Sequence, residues 1–218
     1  MDIKKRYWDV MKARKKAPTK SPILYAYDVT EAWHKSPDIL RIVSYIKQCA
    51  TLLDIGAGDN KLKEILEKAG WKGSYFSLDI EQNFTHNYNS IEKIGRKFDC
   101  ITFLETIEHL PLEIGIEYCE RAYALLEPKG ILIVSTPNIR HLNQFWQGDV
   151  THIRPWPYSD LYAILKLIGF SDIEIFSIKL VNPIPTMKDN LIFILRKYMC
   201  KIIGVDFTEG IMAFAQKG

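Results

Sequence analysis

One short segment, residues 52–62, constrains the fold of this chain more than any other. It reads LLDIGAGDNKL, an apolar run followed by a glycine-rich turn and the start of a helical pattern. Gly56 and Gly58 allow a tight turn and let a ligand approach the backbone more closely than a Cβ would permit, and the helix that follows presents free N–H groups. The segment therefore predicts an α/β strand–turn–helix unit that binds a nucleotide-like cofactor. Asp54, at the end of the strand, favours a cationic ligand over a pyrophosphate, because a carboxylate attracts an ammonium or a sulfonium group.

The rest of the chain alternates between strand-like and helix-like patterns, which predicts an α/β domain with a parallel sheet. The 218 residues, 47% of them hydrophobic, suffice for one such domain with a substantial core. Strands are predicted at residues 51–55, 74–78, 98–104, 130–135, 173–178 and 210–216, with a weaker strand near 84–89, and helices at 39–46, 61–69, 112–126, 159–167 and 187–203.

The two least typical segments lie near the ends of the chain. Residues 1–20 carry eight Lys or Arg against two Asp and predict a basic amphipathic helix that ends near Pro18. We therefore divide the chain into an N-terminal helical cap or lid, residues 1–36, and a cofactor-binding domain, residues 37–218. Helix 187–203 is interpreted as an insertion before the last strand. It is a candidate lid, dimer contact or, because cations accompany its apolar face, membrane-binding element.

Composition indicates the cellular compartment of the protein but not its substrate. The N-terminus lacks the apolar core of a signal peptide, and no stretch is long enough to cross a bilayer. Four cysteines without a C-x-x-C pair are typical of a reducing compartment. We therefore expect a cytoplasmic protein, monomeric or homodimeric. A net charge of +3 neither demands nor excludes a nucleic-acid partner.

Several motifs together resemble the class I S-adenosylmethionine-dependent methyltransferases. The glycine-rich turn resembles their pattern D-x-G-x-G-x-G, with Asn60 in place of the third glycine, and asparagine tolerates the left-handed backbone that such a turn needs. Further matching segments are FDCI at 98–101, EHL at 108–110, LEPKGILIVSTPN at 126–138 and GF at 169–170. The chain is similar to the type 11/23-like methyltransferases, and in particular to the O-methyltransferases of ubiquinone biosynthesis. The resemblance implies a Rossmann-like fold with a mostly parallel seven-stranded sheet and helices on both faces, and S-adenosylmethionine as the cofactor.

The carboxyl ends of the predicted strands carry the candidate cofactor contacts. Asp79 follows the second strand, where a carboxylate can accept hydrogen bonds from both ribose hydroxyls; the alternative is that it caps a helix beginning at Ile80. The resemblance implies that the glycine-rich turn contacts the methionine moiety and that Ile80 covers the adenine face. The complete set of candidate cofactor-binding residues is Asp54, Gly56, Ala57, Gly58, Asp79, Ile80, Asn89 and Glu105.

An E-x-x-E-H motif follows the strand at 98–104. It comprises Glu105, Glu108 and His109, and His152 follows later in a loop that can fold back over the same site. This pattern resembles two methyltransferase groups, those that O-methylate catechol-like rings in ubiquinone biosynthesis and those that methylate the 3′-terminal ribose of small RNAs. In both groups it is associated with a divalent metal. The resemblance therefore implies Glu105, Glu108, His109 and His152 as ligands of Mg²⁺ or Mn²⁺. The alternative is that Glu108 and His109 only hold the strand-to-helix turn.

Three functions follow from these motifs. The leading prediction is methyl transfer from S-adenosylmethionine to a hydroxyl of a small aromatic, quinone-like or sugar-derived molecule, with His152, Glu105 and His109 as candidate catalytic residues. The second is metal-dependent 2′-O-methylation of an RNA ribose. The third is a non-catalytic, methyltransferase-like binding subunit.

Overall fold

The computed structural model of the chain describes residues 1–2, 5–18, 21–27, 34–80, 83–141, 148–203 and 206–218. The strands are β1 (Ile23–Tyr27), β2 (Thr51–Ile55), β3 (Ser74–Leu78), β4 (Phe98–Leu104), β5 (Leu126–Pro137), β6 (Phe170–Val181) and β7 (Gly210–Lys217). The helices are α1 (Tyr7–Arg14), α2 (Pro37–Ile46), α3 (Lys61–Lys68), α4 (Leu112–Leu125), α5 (Tyr158–Ile168) and α6 (Met187–Ile203). None of the helices described is both long and apolar enough to span a membrane.

The strands form one mostly parallel sheet. Within the described residues its order is β1–β6–β7–β5–β4–β2–β3, and β7 alone runs antiparallel to its two neighbours. Helices α2 and α3 pack on one face of the sheet, and α4 and α5 pack on the other. The predicted fold class, a Rossmann-like sheet with helices on both faces, is confirmed. Because β2, β3, β4 and β5 are parallel, their carboxyl ends lie at the same end of the sheet. Ligands bind at this end in folds of this kind.

The identity of one strand was predicted wrongly. Residues 84–89 do not form a strand; they contribute only an isolated bridge between Leu78 and Tyr88. The reason is local, since the backbone N–H of Ser77 donates to the side-chain oxygen of Asn87 at 2.9 Å rather than to a backbone carbonyl. An asparagine side chain that pairs with backbone in this way competes with a strand ladder.

The seventh strand instead comes from the N-terminal region. Strand β1 pairs in parallel with residues 177–181 of β6 and is the outermost strand on the side of the sheet opposite β3. The sequence patterns did not predict this strand. The helix expected in residues 1–20 forms as α1, but Tyr7 and Trp8 of its expected apolar face are exposed, Met11 is half-buried, and Ile3 lies outside the described residues. The segment 1–36 is thus not purely helical, and the division of the chain at residue 36 stays a prediction.

The loop after β5 is fixed against the turn after β4. Trp156 is completely buried, and its ring N–H donates to the carbonyl of Ile107 at 3.1 Å. Gly115 makes room for this ring, since a Cβ there would lie 2.6 Å from it. The backbone N–H groups of Ile153 and Arg154 both donate to the carbonyl of Glu108, at 2.8 and 3.0 Å. These contacts bring His152 to the E-x-x-E-H motif.

Candidate functional site

The glycine-rich turn has the conformation that its sequence predicts. The N–H groups of Gly56 and Ala57 donate to the carbonyl of Leu78, which ties the turn to the end of β3. Gly56 has φ of +72° and Gly58 has φ of +49°. Asn60, in place of the third glycine, also adopts a left-handed conformation with φ of +60°. The turn is therefore intact despite the substitution of that glycine.

The two glycines face different surroundings. A Cβ on Gly56 would lie 2.3 Å from Oγ1 of Thr106, whose hydroxyl is itself held by the carbonyl of Leu104 at 2.7 Å. A Cβ on Gly58 would meet no atom within 4 Å in the described part of the chain. Gly56 is therefore required by the protein's own packing, whereas Gly58 leaves open space of the kind that a ligand fills.

Alanine at these two positions is expected to have different effects. We expect Gly56→Ala to lower the free energy of unfolding by about 2–4 kcal/mol, because the added methyl group overlaps Thr106 and the positive φ is strained. Gly58→Ala should cost only about 1–2 kcal/mol, from backbone strain alone. Chemical denaturation of both variants without ligand measures the difference, and equal stabilities would contradict this account of the turn.

Asp54 lies beneath the turn as a buried carboxylate. It is 4% exposed and accepts hydrogen bonds from the hydroxyls of Tyr75 at 2.6 Å and Thr102 at 2.7 Å. Burial raises the pKa of Asp54 to about 6, although the two hydroxyl groups counteract part of that rise. The site thus places a carboxylate in a poorly solvated position next to the turn, where a nearby cation would stabilise its ionised form. That Asp54 favours a cationic ligand stays a prediction.

Asp79 connects the turn to an adjacent cavity. One of its carboxylate oxygens accepts a hydrogen bond from the N–H of Gly58 at 2.8 Å. Asp79 also lines a cavity of about 430 Å³ together with Ile80 and Asn89. The structure therefore brings Asp79 and Ile80, predicted for the ribose and the adenine face, together with the candidate cofactor-binding residue Asn89.

Sequence reasoning missed the other residues that line this cavity, and two of them are polar side chains of interest, His86 and Lys93. His86 lies in the segment wrongly predicted as a strand, and neither of its ring nitrogens has a hydrogen-bond partner within the described residues. Lys93 donates to the side-chain oxygen of Asn89 at 2.8 Å and so holds that amide in place. Nothing in the local sequence distinguishes either residue from an ordinary surface residue.

The E-x-x-E-H motif places a buried carboxylate beside two imidazoles. Glu108 is 2% exposed, and within the described residues neither of its carboxylate oxygens has a hydrogen-bond partner. Nε2 of His109 and Nε2 of His152 each lie 4.0 Å from Oε1 of Glu108. Burial raises the pKa of Glu108 to about 7, although its own backbone N–H and the hydroxyl of Thr136, which are near the carboxylate but outside hydrogen-bonding geometry, counteract part of that rise. A buried carboxylate without partners is costly, so this arrangement suits a cation that is bound among the three side chains.

Thr151 determines which nitrogen of His109 faces Glu108. Nδ1 of His109 lies 3.1 Å from the carbonyl oxygen of Thr151 and 3.0 Å from its hydroxyl oxygen. A carbonyl can only accept, so Nδ1 carries the proton and Nε2 has a free lone pair in the neutral ring. Histidines that bind metal ions are commonly oriented by such a second hydrogen bond.

His152 contacts both this group and Asp149. Its Nε2 lies 3.9 Å from a carboxylate oxygen of Asp149, and its ring packs edge-on against that of His109 with centroids 4.8 Å apart. The potential ligand atoms of Glu108, His109 and His152 all lie within 4.8 Å of one another. The structure thus assembles three of the four residues predicted as metal ligands.

Glu105, the fourth predicted ligand, lies outside this group of three. Its φ of +45° is unusual for a residue other than glycine, and its N–H donates to Ser135. The side chain lines a separate cavity of about 280 Å³ with mainly apolar walls. Poor solvation in this recess, followed by the charge of Glu108, raises the pKa of Glu105 to about 7. More than a third of the residue is accessible to solvent, and this solvent screens the carboxylate and reduces the rise in its pKa.

Most of the chain matches a known protein family. A family model described as a methyltransferase domain matches residues 25–175, which is more than half of the sequence. A ubiquinone biosynthesis O-methyltransferase from Actinobacillus pleuropneumoniae serotype 7 (strain AP76) is 29% identical over 123 residues, covering 44% of this chain and 52% of the relative. The chain therefore spans about half the length of that relative.

Solved structures share the same architecture. A SAM-dependent methyltransferase from Archaeoglobus fulgidus is similar with a TM-score of 0.65 and 21% identity, over 83% of this chain and 91% of that chain. Magnesium protoporphyrin IX methyltransferase from Synechocystis PCC 6803, solved with bound SAM, has a TM-score of 0.53 and 14% identity, over 83% and 78% of the two chains. At these identities the similarity establishes a shared fold.

Proposed function

This chain belongs to the methyltransferase-domain family, and on that basis we propose that it is an S-adenosylmethionine-dependent enzyme that methylates a hydroxyl of a small molecule beside a divalent metal ion. S-adenosylmethionine is the cofactor and supplies the methyl group. The family assignment favours an enzyme over a non-catalytic binding subunit. The observation that carries the finer proposal is the Glu108 carboxylate, which is buried and without a hydrogen-bond partner in the described residues.

The residues around Glu108 fit a divalent ion. A carboxylate and two imidazoles suit Mn²⁺ or Mg²⁺, with the nitrogen ligands favouring Mn²⁺. Thr151 fixes His109 with its Nε2 lone pair toward Glu108. Glu105 is proposed as a further ligand from the adjoining turn. When bound, such an ion would lower the pKa of an acceptor hydroxyl and orient its oxygen.

The side chains of the chain itself have two tasks in this reaction. The first is to bind and align the donor: Asp79 would accept hydrogen bonds from the ribose hydroxyls, and Gly58 leaves space beside the backbone. The second is to receive the proton that the hydroxyl releases as its oxygen bonds to the methyl group. His152 is suited to that role, because the carboxylate of Asp149, 3.9 Å away, would stabilise the imidazolium that forms. His152 as a base and His152 as a ligand are alternative roles.

The cavity beside Glu105 supports a small acceptor. Its volume of about 280 Å³ is near the lower end of the range for ligand pockets, and its walls are mainly apolar. A small aromatic or quinone-like ring suits such a cavity better than the end of an RNA chain. The RNA alternative would use the same carboxylate–histidine group, which consists of Glu108, His109 and His152, and is therefore included in the test.

Methyl transfer with radiolabelled S-adenosylmethionine tests the proposal. The acceptors are catechol, phenol, an aliphatic amine and a short RNA with a free 3′-terminal ribose, each with Mn²⁺, Mg²⁺ or EDTA. We expect transfer to catechol that requires the ion and falls more than about 100-fold in EDTA. Transfer that is unchanged in EDTA would contradict the metal, labelled RNA would support the alternative, and label on the amine alone would contradict O-methylation.

A further inference from the structure

The outer side of helix α6 exposes an apolar stripe. The stripe consists of Met187, Leu191, Ile194, Tyr198 and Ile202, which recur every three or four residues and so lie along one side of the helix. Their exposed fractions run from 49% at Ile194 to 92% at Met187. A contiguous row of large apolar side chains in water is unfavourable, and such a patch usually marks a surface that another molecule covers.

Contacts on the opposite side of α6 fix the direction in which this outer stripe faces. Asp189, Ile192 and Arg196 line a cavity of about 530 Å³ between α6 and the ends of β1 and β6. The guanidinium of Arg196 lies over the ring of Phe207, 5.5 Å from its centroid. At the start of the helix, the backbone N–H and the hydroxyl of Thr186 donate to the carboxylate of Asp189, both at 2.8 Å. The helix is therefore capped at its start, and these contacts place its inner side toward the body and the outer stripe away from it.

The charges beside the outer stripe select the kind of partner. Lys188 and Lys201 flank the stripe and are exposed. The single acidic residue between positions 184 and 203 is Asp189, which lies on the cavity side. A symmetric dimer through this helix would bring the lysines of the two copies together, with no carboxylate of the stripe to pair with them. Charge complementarity therefore favours an anionic partner over a second copy of the chain.

We propose that α6 lies in the headgroup layer of an anionic membrane, with the outer stripe turned into the lipid. Anionic headgroups would pair with the two lysines, and the acyl boundary would cover the aliphatic side chains. The helix lies on the surface in this arrangement rather than crossing the bilayer, which agrees with the finding that no described helix is long and apolar enough to span a membrane. The proposal does not depend on which acceptor the enzyme methylates.

Vesicle flotation with the full chain tests the apolar part of the proposal. The protein is expected to float with vesicles of phosphatidylcholine and phosphatidylglycerol, and to remain unbound with phosphatidylcholine alone. The double variant Ile194→Asp/Ile202→Asp should lower the partition coefficient more than about tenfold, since two apolar side chains leave the lipid. The control Leu40→Asp alters a side chain that is 51% exposed on α2 and should leave binding unchanged.

Charge reversal tests the electrostatic part. In Lys188→Glu/Lys201→Glu we expect a loss of more than about fivefold in the partition coefficient for each lysine, because reversal removes an attraction and adds a repulsion, and the unaltered protein should bind more weakly in higher salt. The control Lys63→Glu/Lys72→Glu changes two exposed lysines elsewhere and should have little effect. Circular dichroism establishes that each variant is folded. Absence of flotation with anionic vesicles, or a dimer that the Ile194→Asp/Ile202→Asp variant converts to a monomer, would overturn the proposal.

Discussion

Replacement of Glu108 by glutamine is expected to abolish nearly all methyl transfer, with a loss of more than about 10³-fold in kcat/KM. Glutamine has the same shape but carries no charge, so it cannot neutralise a divalent ion held with His109 and His152. The fold should survive, because the backbone carbonyl of residue 108, which accepts from Ile153 and Arg154, is unaffected. Steady-state kinetics together with calorimetric titration of Mn²⁺ measures both consequences.

The stability of Glu108→Gln distinguishes a metal-binding role of Glu108 from a purely structural role. Burial of the unpaired Glu108 carboxylate is costly, so Glu108→Gln should be as stable as the unaltered protein, or more stable. The matched control is Glu113→Gln, an exposed carboxylate in the first turn of α4, which should retain full activity. If Glu108→Gln keeps its activity and its Mn²⁺ affinity, Glu108 only holds the turn after β4, and the proposed metal site is wrong.

The parts of the fold that the sequence predicts are those determined by local patterns. An apolar run, two glycines and a helix start specify the unit from β2 to α3, and Asn60 takes the left-handed conformation that asparagine tolerates. The proximity of Glu108 and His109 follows from their adjacency in one turn. The position of His152 was reached through family resemblance, since the burial of Trp156 and the backbone hydrogen bonds of residues 153 and 154 bring that loop to the turn, and no local pattern reveals them.

Other features depend on contacts that no local pattern reveals. Strand β1 forms because it pairs with β6, some 150 residues later in the sequence. The pattern of its own five residues does not mark it as a strand. The segment 84–89 fails as a strand because Asn87 uses its side chain to pair with β3. Glu105 lies outside the carboxylate–histidine group. Its backbone is left-handed, with φ of +45°, and a glutamate in a sequence does not predict that conformation.

Replacement of Asp79 by alanine should weaken binding of S-adenosylmethionine by more than about 100-fold. Hydrogen bonds to a charged group are worth about 1.5–3 kcal/mol each, and the carboxylate is expected to accept two of them from the ribose. The substitution also removes the acceptor of the Gly58 N–H and so loosens the turn that the donor contacts. Both effects act on the donor, and neither involves the acceptor or the metal.

Asp59 offers a matched control in the same turn. Its carboxylate accepts a hydrogen bond from the N–H of Lys61 at 3.1 Å and is exposed, and it does not line the cavity that contains Asp79. Asp59→Ala removes an equal charge from the same turn, so it reports any general electrostatic effect on a cationic ligand. We expect its affinity for the donor to change by less than about fivefold, in keeping with an exposed charge.

The most direct measurement is isothermal titration calorimetry of S-adenosylmethionine with the unaltered protein, Asp79→Ala and Asp59→Ala. The structure predicts tight binding to the unaltered protein, near-equal binding to Asp59→Ala, and an affinity reduced more than about 100-fold in Asp79→Ala. If Asp79→Ala binds the donor as tightly as the unaltered protein does, the donor does not occupy the turn between β2 and α3, and the assignment of this site is wrong.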